Sequence, residues 1–261
     1  MSKAPEVLWR AIIEYDGTDY YGFQVQESVP TVQGTVEGVL EKLSGGPVRI
    51  AGAGRTDAGV HASGQVISFS LGWRKSTEEL QKAMNALLPE DIVVLVLEPA
   101  PPGFHPRFSA VSRSYEYRIL NTRLRSPLLA RYSAHVSEPL DVESMQSAAE
   151  VVIGRHDFRS FGQPPQGDNS VRTVYEAHWE KSGKFLVFRI KADAFLRKMV
   201  RRMVGTFVEV GLGVRKPDGM AELVREPNPA LAAPPAPPQG LRLVKVEYPP
   251  ELEFSSVGKE E

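Results

Sequence analysis

Residues Gly52 to Gln65 read GAGRTDAGVHASGQ. Two opposite charges, Arg55 and Asp57, flank Thr56 among glycines at Gly52, Gly54, Gly59 and Gly64, and glycine permits positive φ and close backbone approach. The spacing predicts a tightly shaped loop and places a candidate active site in it. Taken alone, an Arg-x-Asp pair in a glycine-rich turn reads as a local ion pair or an Asx-turn. A phosphate cradle fits less well: the stretch holds neither G-x-x-x-x-G-K-[ST] nor G-x-G-x-x-G, and a central carboxylate repels phosphate.

Working outward, Val48 to Ala51 reads as a short strand into the loop, and Gln65 to Leu71 alternates as a strand leaving it. Upstream, Leu8 to Tyr15 is a strand closed by the turn signal Asp16-Gly17. In the TDYYGFQVQ segment that follows, Tyr20, Tyr21 and Phe23 suit either base stacking or pinning the loop to the core. Val32, Val36, Val39, Leu40 and Leu43 then recur at helical spacing until Ser44-Gly45-Gly46. Downstream, Ser76 and Glu79 form a capping box for a helix with Leu80, Ala83, Met84 and Leu87 on one face. Ile92 to Leu97 is a buried strand that ends before PAPPG. The order is β-α-β-β-α-β, the ferredoxin-like arrangement.

The second half repeats this order. Ser114 to Leu120 is a strand, Asp141 caps a helix with Met145, Ala148, Ala149 and Val152 inward, and Val171 to Trp179 and Phe185 to Ile190 are strands. Leu196, Met199, Val200, Met203, Val204 and Phe207 define a long helix. PNPALAAPPAPPQG reads as a semi-rigid surface connection, and Leu241 to Tyr248 as the last strand. GQPPQGDN, from Gly162 to Asn169, reads as a mobile loop and the tail SSVGKEE as frayed. The expected fold class is α+β: two ferredoxin-like halves, 1–103 and 104–261, with predominantly antiparallel sheets meeting at a central basic cleft.

The chain of 261 residues is 42 % hydrophobic and carries 31 Lys+Arg against 32 Asp+Glu. A nucleic-acid binder with this balance must segregate its charges, and between His105 and Arg131 the arginines 107, 113, 118, 123, 125 and 131 face Glu116 alone. Cysteine is absent, which excludes disulfides, thiolate metal sites and a cysteine nucleophile. The five histidines stand singly without ligand spacing, so no metal site is expected. The amino terminus lacks an apolar signal region and no run reaches membrane-spanning length, so a cytoplasmic protein is expected.

AGRTDAGVHASGQV, with EYDGTDYYGFQ before it and FHPRFSAVSRSYEYRI, DFRSF, VRTV, AFLRKMVRRMVG and GLRLVKVEYP after it, closely resembles the tRNA pseudouridine synthase A family. The resemblance runs in collinear order from about Leu8 to Pro249. It implies isomerisation of uridine to pseudouridine at positions 38, 39 and 40 of the tRNA anticodon stem-loop, by a homodimer that needs no cofactor. By resemblance Asp57 is the catalytic aspartate, acting as nucleophile at C1′, as base at C2′, or by addition to C6 of the uracil. An aspartate kept ionised in a water-poor pocket needs a cation, and the family match gives that role to Arg201; Arg197 and Arg201, four apart, would share the flank of the long helix. Lys198 and Arg202 suit a solvated basic face better.

Tyr115 corresponds to the family's active-site tyrosine, stacking on the uracil and placed to help remove the C5 proton. Tyr117 is expected on the opposite sheet face with a structural role. Arg55 resembles the residue that enters the RNA where the target nucleotide flips out. Arg107, Arg113, Arg123, Arg125, Arg155, Arg159 and Arg172 are the candidates for phosphate contacts. Departures from the family pattern are modest: Phe23 where tryptophan is common, Ala53 for cysteine and Asp193 for asparagine. The rival reading is a non-catalytic RNA-binding clamp or chaperone. A glycosidase or nucleosidase would need a second acid that the sequence does not pair with Asp57.

Overall fold

The computed structural model describes residues 5–164 and 167–255. The expected frayed tail beyond Ser255 and two residues of the expected mobile loop, Pro165 and Gln166, lie outside the described residues. The chain divides into two compact units, 1–111 with 243–261, and 112–242.

In the first unit β1 (Glu6–Tyr15) is followed by α1 (Val32–Ser44), β2 (Ile50–Gly52), β3 (His61–Gly72), α2 (Thr77–Leu87) and β4 (Ile92–Pro99). β1 pairs antiparallel with both β4 and β3, and β2 pairs antiparallel with β3, giving the spatial order β4-β1-β3-β2 of a ferredoxin-like sheet. The helices form where their caps and stripes dictate. Thr31 accepts from Gly34 N at the start of α1, Gly45 in the left-handed region ends it, and Val32, Val36, Val39 and Leu40 are buried. The Ser76–Glu79 capping box is formed in α2, where Leu80 and Met84 face inward. Leu87, expected on that face, is exposed, and Leu88, just past the helix, is buried instead.

The second unit contains β5 (Ser112–Asn121), β6 (Ala134–Val136), α3 (Val142–Glu150), β7 (Gly154–Asp157), β8 (Val171–Ser182), β9 (Phe185–Ala192), α4 (Met199–Gly211) and α5 (Asp218–Arg225). β5, β9, β8 and β7 are successive antiparallel neighbours, and β6 adds in parallel to β5. Trp179, Phe188 and Phe207 pack ring on ring between sheet and α4, which fixes that helix against the strands. β10 (Leu241–Glu247) begins in the second unit and from Leu243 belongs to the first, where it lies beside β3; there Gly64 meets the Val244 carbonyl so closely that a Cβ would sit 2.1 Å from it.

One charged cluster anchors the β5–β9 pair. Glu116 is 2 % exposed and binds Arg118 Nε at 2.6 Å, Arg189 Nη1 at 2.6 Å and Arg242 Nη2 at 3.0 Å. Burial alone would raise its pKa, but the Arg118 hydrogen bond and the charges of Arg242, Arg118 and Arg189 outweigh that and hold it below the usual carboxylate value. A folded pKa below the unfolded one adds stability at neutral pH that is lost as pH falls through the folded value. Glu116→Gln is therefore expected to cost about 1–3 kcal/mol at pH 7, discounted because the arginines are partly solvated, and to flatten the acid limb of stability against pH. Urea unfolding of both proteins from pH 7 to pH 3 checks this, and parallel curves would refute it.

Candidate active site

The loop from Ala53 to Val60 joins β2 to β3 and is tied down almost residue by residue. Gln65 Nε2 donates to the Gly54 carbonyl at 2.8 Å. Thr56 Oγ1 shares a 2.8 Å hydrogen bond with Tyr15 Oη, and the Thr56 carbonyl accepts from Phe23 N at 3.1 Å. Val60 N closes a turn on the Asp57 carbonyl at 3.1 Å, and Gly59 N donates to Tyr20 O at 3.2 Å. His61 Nδ1 accepts from Gly17 N at 3.1 Å and lies 3.1 Å from Asp16 Oδ1. From this backbone Arg55 is exposed and Asp57 half-buried.

The loop's shape owes as much to glycines outside it as to those within. Gly22, at φ 95°, would place a Cβ 2.8 Å from the Thr56 carbonyl, and at Gly17 a Cβ would stand 2.0 Å from the Val60 carbonyl. The aromatic segment is consequently a splint. Tyr20 is buried and donates to Asp91 Oδ1 at 2.6 Å; burial first, then that carboxylate, push its phenol well above the ordinary tyrosine pKa, so it stays a donor. Phe23 is buried beneath Gly52, and only Tyr21, 57 % exposed, presents its ring to solvent.

Tyr115 and Arg201 belong to the second unit. The half-exposed Tyr115 ring meets Phe195 edge-on, with centroids 4.9 Å apart. Tyr117 is fully buried and donates to Pro237 O at 2.8 Å. Its structural role holds, but its expected placement opposite Tyr115 does not: residues two apart on a strand share a face. α4 starts at Met199, three residues later than the apolar pattern predicts, because Lys198 takes a left-handed conformation at φ 64°. Arg197 therefore lies before the helix, bridged to Gln163 through Arg197 N and Gln163 O at 2.9 Å, and does not share a helical flank with Arg201.

Arg201 Nε donates to Ala236 O at 2.7 Å while Ala236 N returns to Arg201 O at 2.9 Å. Arg202, expected on a solvated face, instead donates to the carbonyls of Ala233, Pro229 and Ala232, strapping the proline-rich segment onto α4. Gly205 permits that approach, since a Cβ there would meet Pro234 O at 2.3 Å. The candidate phosphate ligands are sorted by their partners. Arg113 is buried on Asp193 O and Arg172 is spent on Asn169 O and Val171 O, whereas Arg123, Arg125, Arg155 and Arg159 are exposed, Arg159 beside Asp157.

The family model described as tRNA pseudouridine synthase matches residues 11–109 and 148–249. The chain belongs to the tRNA pseudouridine synthase family. Proteins named tRNA pseudouridine synthase A are similar along most of their length. The one from Thermoanaerobacter sp. (strain X514) is 41 % identical over 91 % of this chain and 98 % of its own. That from Geobacillus sp. (strain WCH70) is 42 % identical over 92 % and 97 %, and that from Cronobacter sakazakii 42 % over 93 % and 90 %.

This synthase is thus an isomerase. Arg55, Asp57 and Arg201 fall inside the matched spans, and Tyr115 falls between them. Among the described residues no helix is long and apolar enough to cross a membrane. The side chains that sequence reading passed over are those that hold the loop: Tyr15, Gln65 and His61 sit on strands and look like strand residues. The glycines at 17 and 22, either side of an aromatic run, were the available signal.

Proposed function

We propose that this synthase converts uridine to pseudouridine at positions 38, 39 and 40 of the tRNA anticodon stem-loop, with Asp57 as the reacting carboxylate. The observation that supports this reading is the family match across a loop whose backbone is fixed on both sides of Asp57. The reaction breaks the bond from C1′ to N1, turns the uracil and joins C1′ to C5; N1 gains a proton and C5 loses one, so nothing is consumed. A single carboxylate suffices for assistance at C1′, C2′ or C6, because the group that helps the first bond break is regenerated when the second forms. In this scheme Arg201 is the cation that serves the reacting carboxylate, the role the family resemblance implies for it.

Arg55, exposed beside Asp57, enters the space left by the flipped nucleotide and offsets part of an unstacking cost of a few kcal/mol. Tyr115, its ring steadied by Phe195, stacks on the uracil and helps remove the C5 proton. Arg123, Arg125, Arg155 and Arg159 meet phosphates, which position RNA without reading its sequence and so suit an enzyme acting on neighbouring uridines. The working form is a cytoplasmic homodimer. Incubation with unmodified tRNA followed by pseudouridine mapping tests activity and site choice together: modification confined to 38, 39 and 40 is expected, and modification elsewhere in the tRNA overturns the site assignment.

A further inference from the structure

Gln65 is 0 % exposed, and among the described residues no donor reaches its Oε1. A buried amide with one half unmatched is a poor way to fill a core, and an apolar side chain of the same length would fill it better. Its other half has a definite task, since Nε2 donates to the Gly54 carbonyl at 2.8 Å. That carbonyl and the Arg55 N–H belong to one planar peptide, so holding the oxygen sets the plane from which Arg55 departs. The remaining backbone ties of the loop lie at Ala53 and from Thr56 onward. Among the described residues Gln65 is thus the side chain that holds the Gly54–Arg55 stretch, which lies between the backbone ties at Ala53 and Thr56.

We propose that Gln65 is a positioning residue for the reaction: it acts through the Gly54 carbonyl to orient the Arg55–Thr56–Asp57 segment, and its amide is retained for that service at some cost to core packing. The inference rests on the reading that Asp57 is the reacting group. It also separates two properties that a purely structural residue would move together. Removing the amide relieves one unmatched buried acceptor and takes the donor from another, the Gly54 carbonyl, so stability changes little while the loop loses its orientation and turnover falls.

The test compares Gln65→Met and Gln65→Leu with the unmodified protein, reading thermal midpoint, tRNA binding, kcat and KM. Gln65→Met keeps length without a donor, and Gln65→Leu lacks the donor in a branched, apolar shape. The expected result for Gln65→Met is a midpoint within about 3 °C of the parent's, KM within about 3-fold and kcat lowered by about 10- to 100-fold, the scale of an ångström-level misplacement. Gln65→Leu should lose turnover to a similar degree while still binding tRNA, which keeps the proposal testable if one variant folds poorly. Full kcat in Gln65→Met overturns the proposal, as does a joint fall of midpoint and kcat in both variants, which would make Gln65 an ordinary core residue. Activity surviving in Asp57→Asn would instead defeat the underlying assignment, so the two failures are distinguishable.

Discussion

Asp57→Asn is expected to bind tRNA nearly as well as the parent protein and to form no measurable pseudouridine, a loss in kcat of more than about 10³-fold. The substitution is close to isosteric. The ties that shape the loop run through its neighbours and its main chain: Thr56 Oγ1 to Tyr15, Thr56 O to Phe23 N, and Val60 N to the Asp57 carbonyl. The substitution leaves each of these in place, so the loop should keep its form while losing its charge. Affinity for RNA is dominated by phosphate contacts, and removing one anion from the protein cannot weaken them. Single-turnover conversion and filter binding on one tRNA separate the two properties. Residual turnover within about 10-fold of the parent would remove Asp57 from the chemistry altogether.

How far the sequence could be read follows from the physics of each feature. The ferredoxin-like order of the first unit was legible because each element carries its own signal: a capping box at Ser76 and Glu79, a glycine stop at Gly45, and in β3 a run of strand-forming residues from Val66 to Leu71 that the structure buries on both faces up to Phe69. The start of α4 was not. The apolar pattern continues through Leu196, but periodicity reports which residues are buried and is silent on backbone conformation, and Lys198 turns left-handed just before Met199. β6, β7 and α5 escaped for a related reason, being short or made largely of polar residues whose ordering comes from neighbours rather than propensity. The proline-rich segment was legible as a connection, but its anchoring was hidden in Arg201 and Arg202, which look like members of a solvated basic face. Arginine stems pack while their heads donate, so a basic run in sequence does not distinguish phosphate ligands from straps for carbonyl groups. The candidate loop stood out through its charges and glycines, and its supports were missed because a tyrosine or glutamine facing inward from a strand resembles any other.

The largest stability effect is expected at Arg10, in a different part of the first unit from the Ala53–Val60 loop. Arg10 is 3 % exposed and stands opposite Glu98 in the β1–β4 register, donating through Nε at 2.8 Å and through Nη2. Its remaining donors reach the carbonyls of Leu252 and Glu253, and its guanidinium lies over the rings of Phe104 and Phe254 at 5.1 and 4.3 Å. One cation therefore joins two strands to the segment that follows β10. Arg10→Met removes the cation but leaves Glu98 largely buried, with Ser255 N at 3.2 Å as its other donor. Stranding a buried charge in this way costs about 3–5 kcal/mol, which lowers the thermal midpoint by roughly 5–15 °C in a chain of this size. Arg10→Lys should recover little, since a single ammonium cannot serve a carboxylate, two carbonyls and two ring faces together. The double variant Arg10→Met/Glu98→Gln separates charge burial from loss of the clasp: with no ion left buried, about half or more of the lost stability should return. If Arg10→Met melts within about 2 °C of the parent, the cluster contributes no more than a surface ion pair.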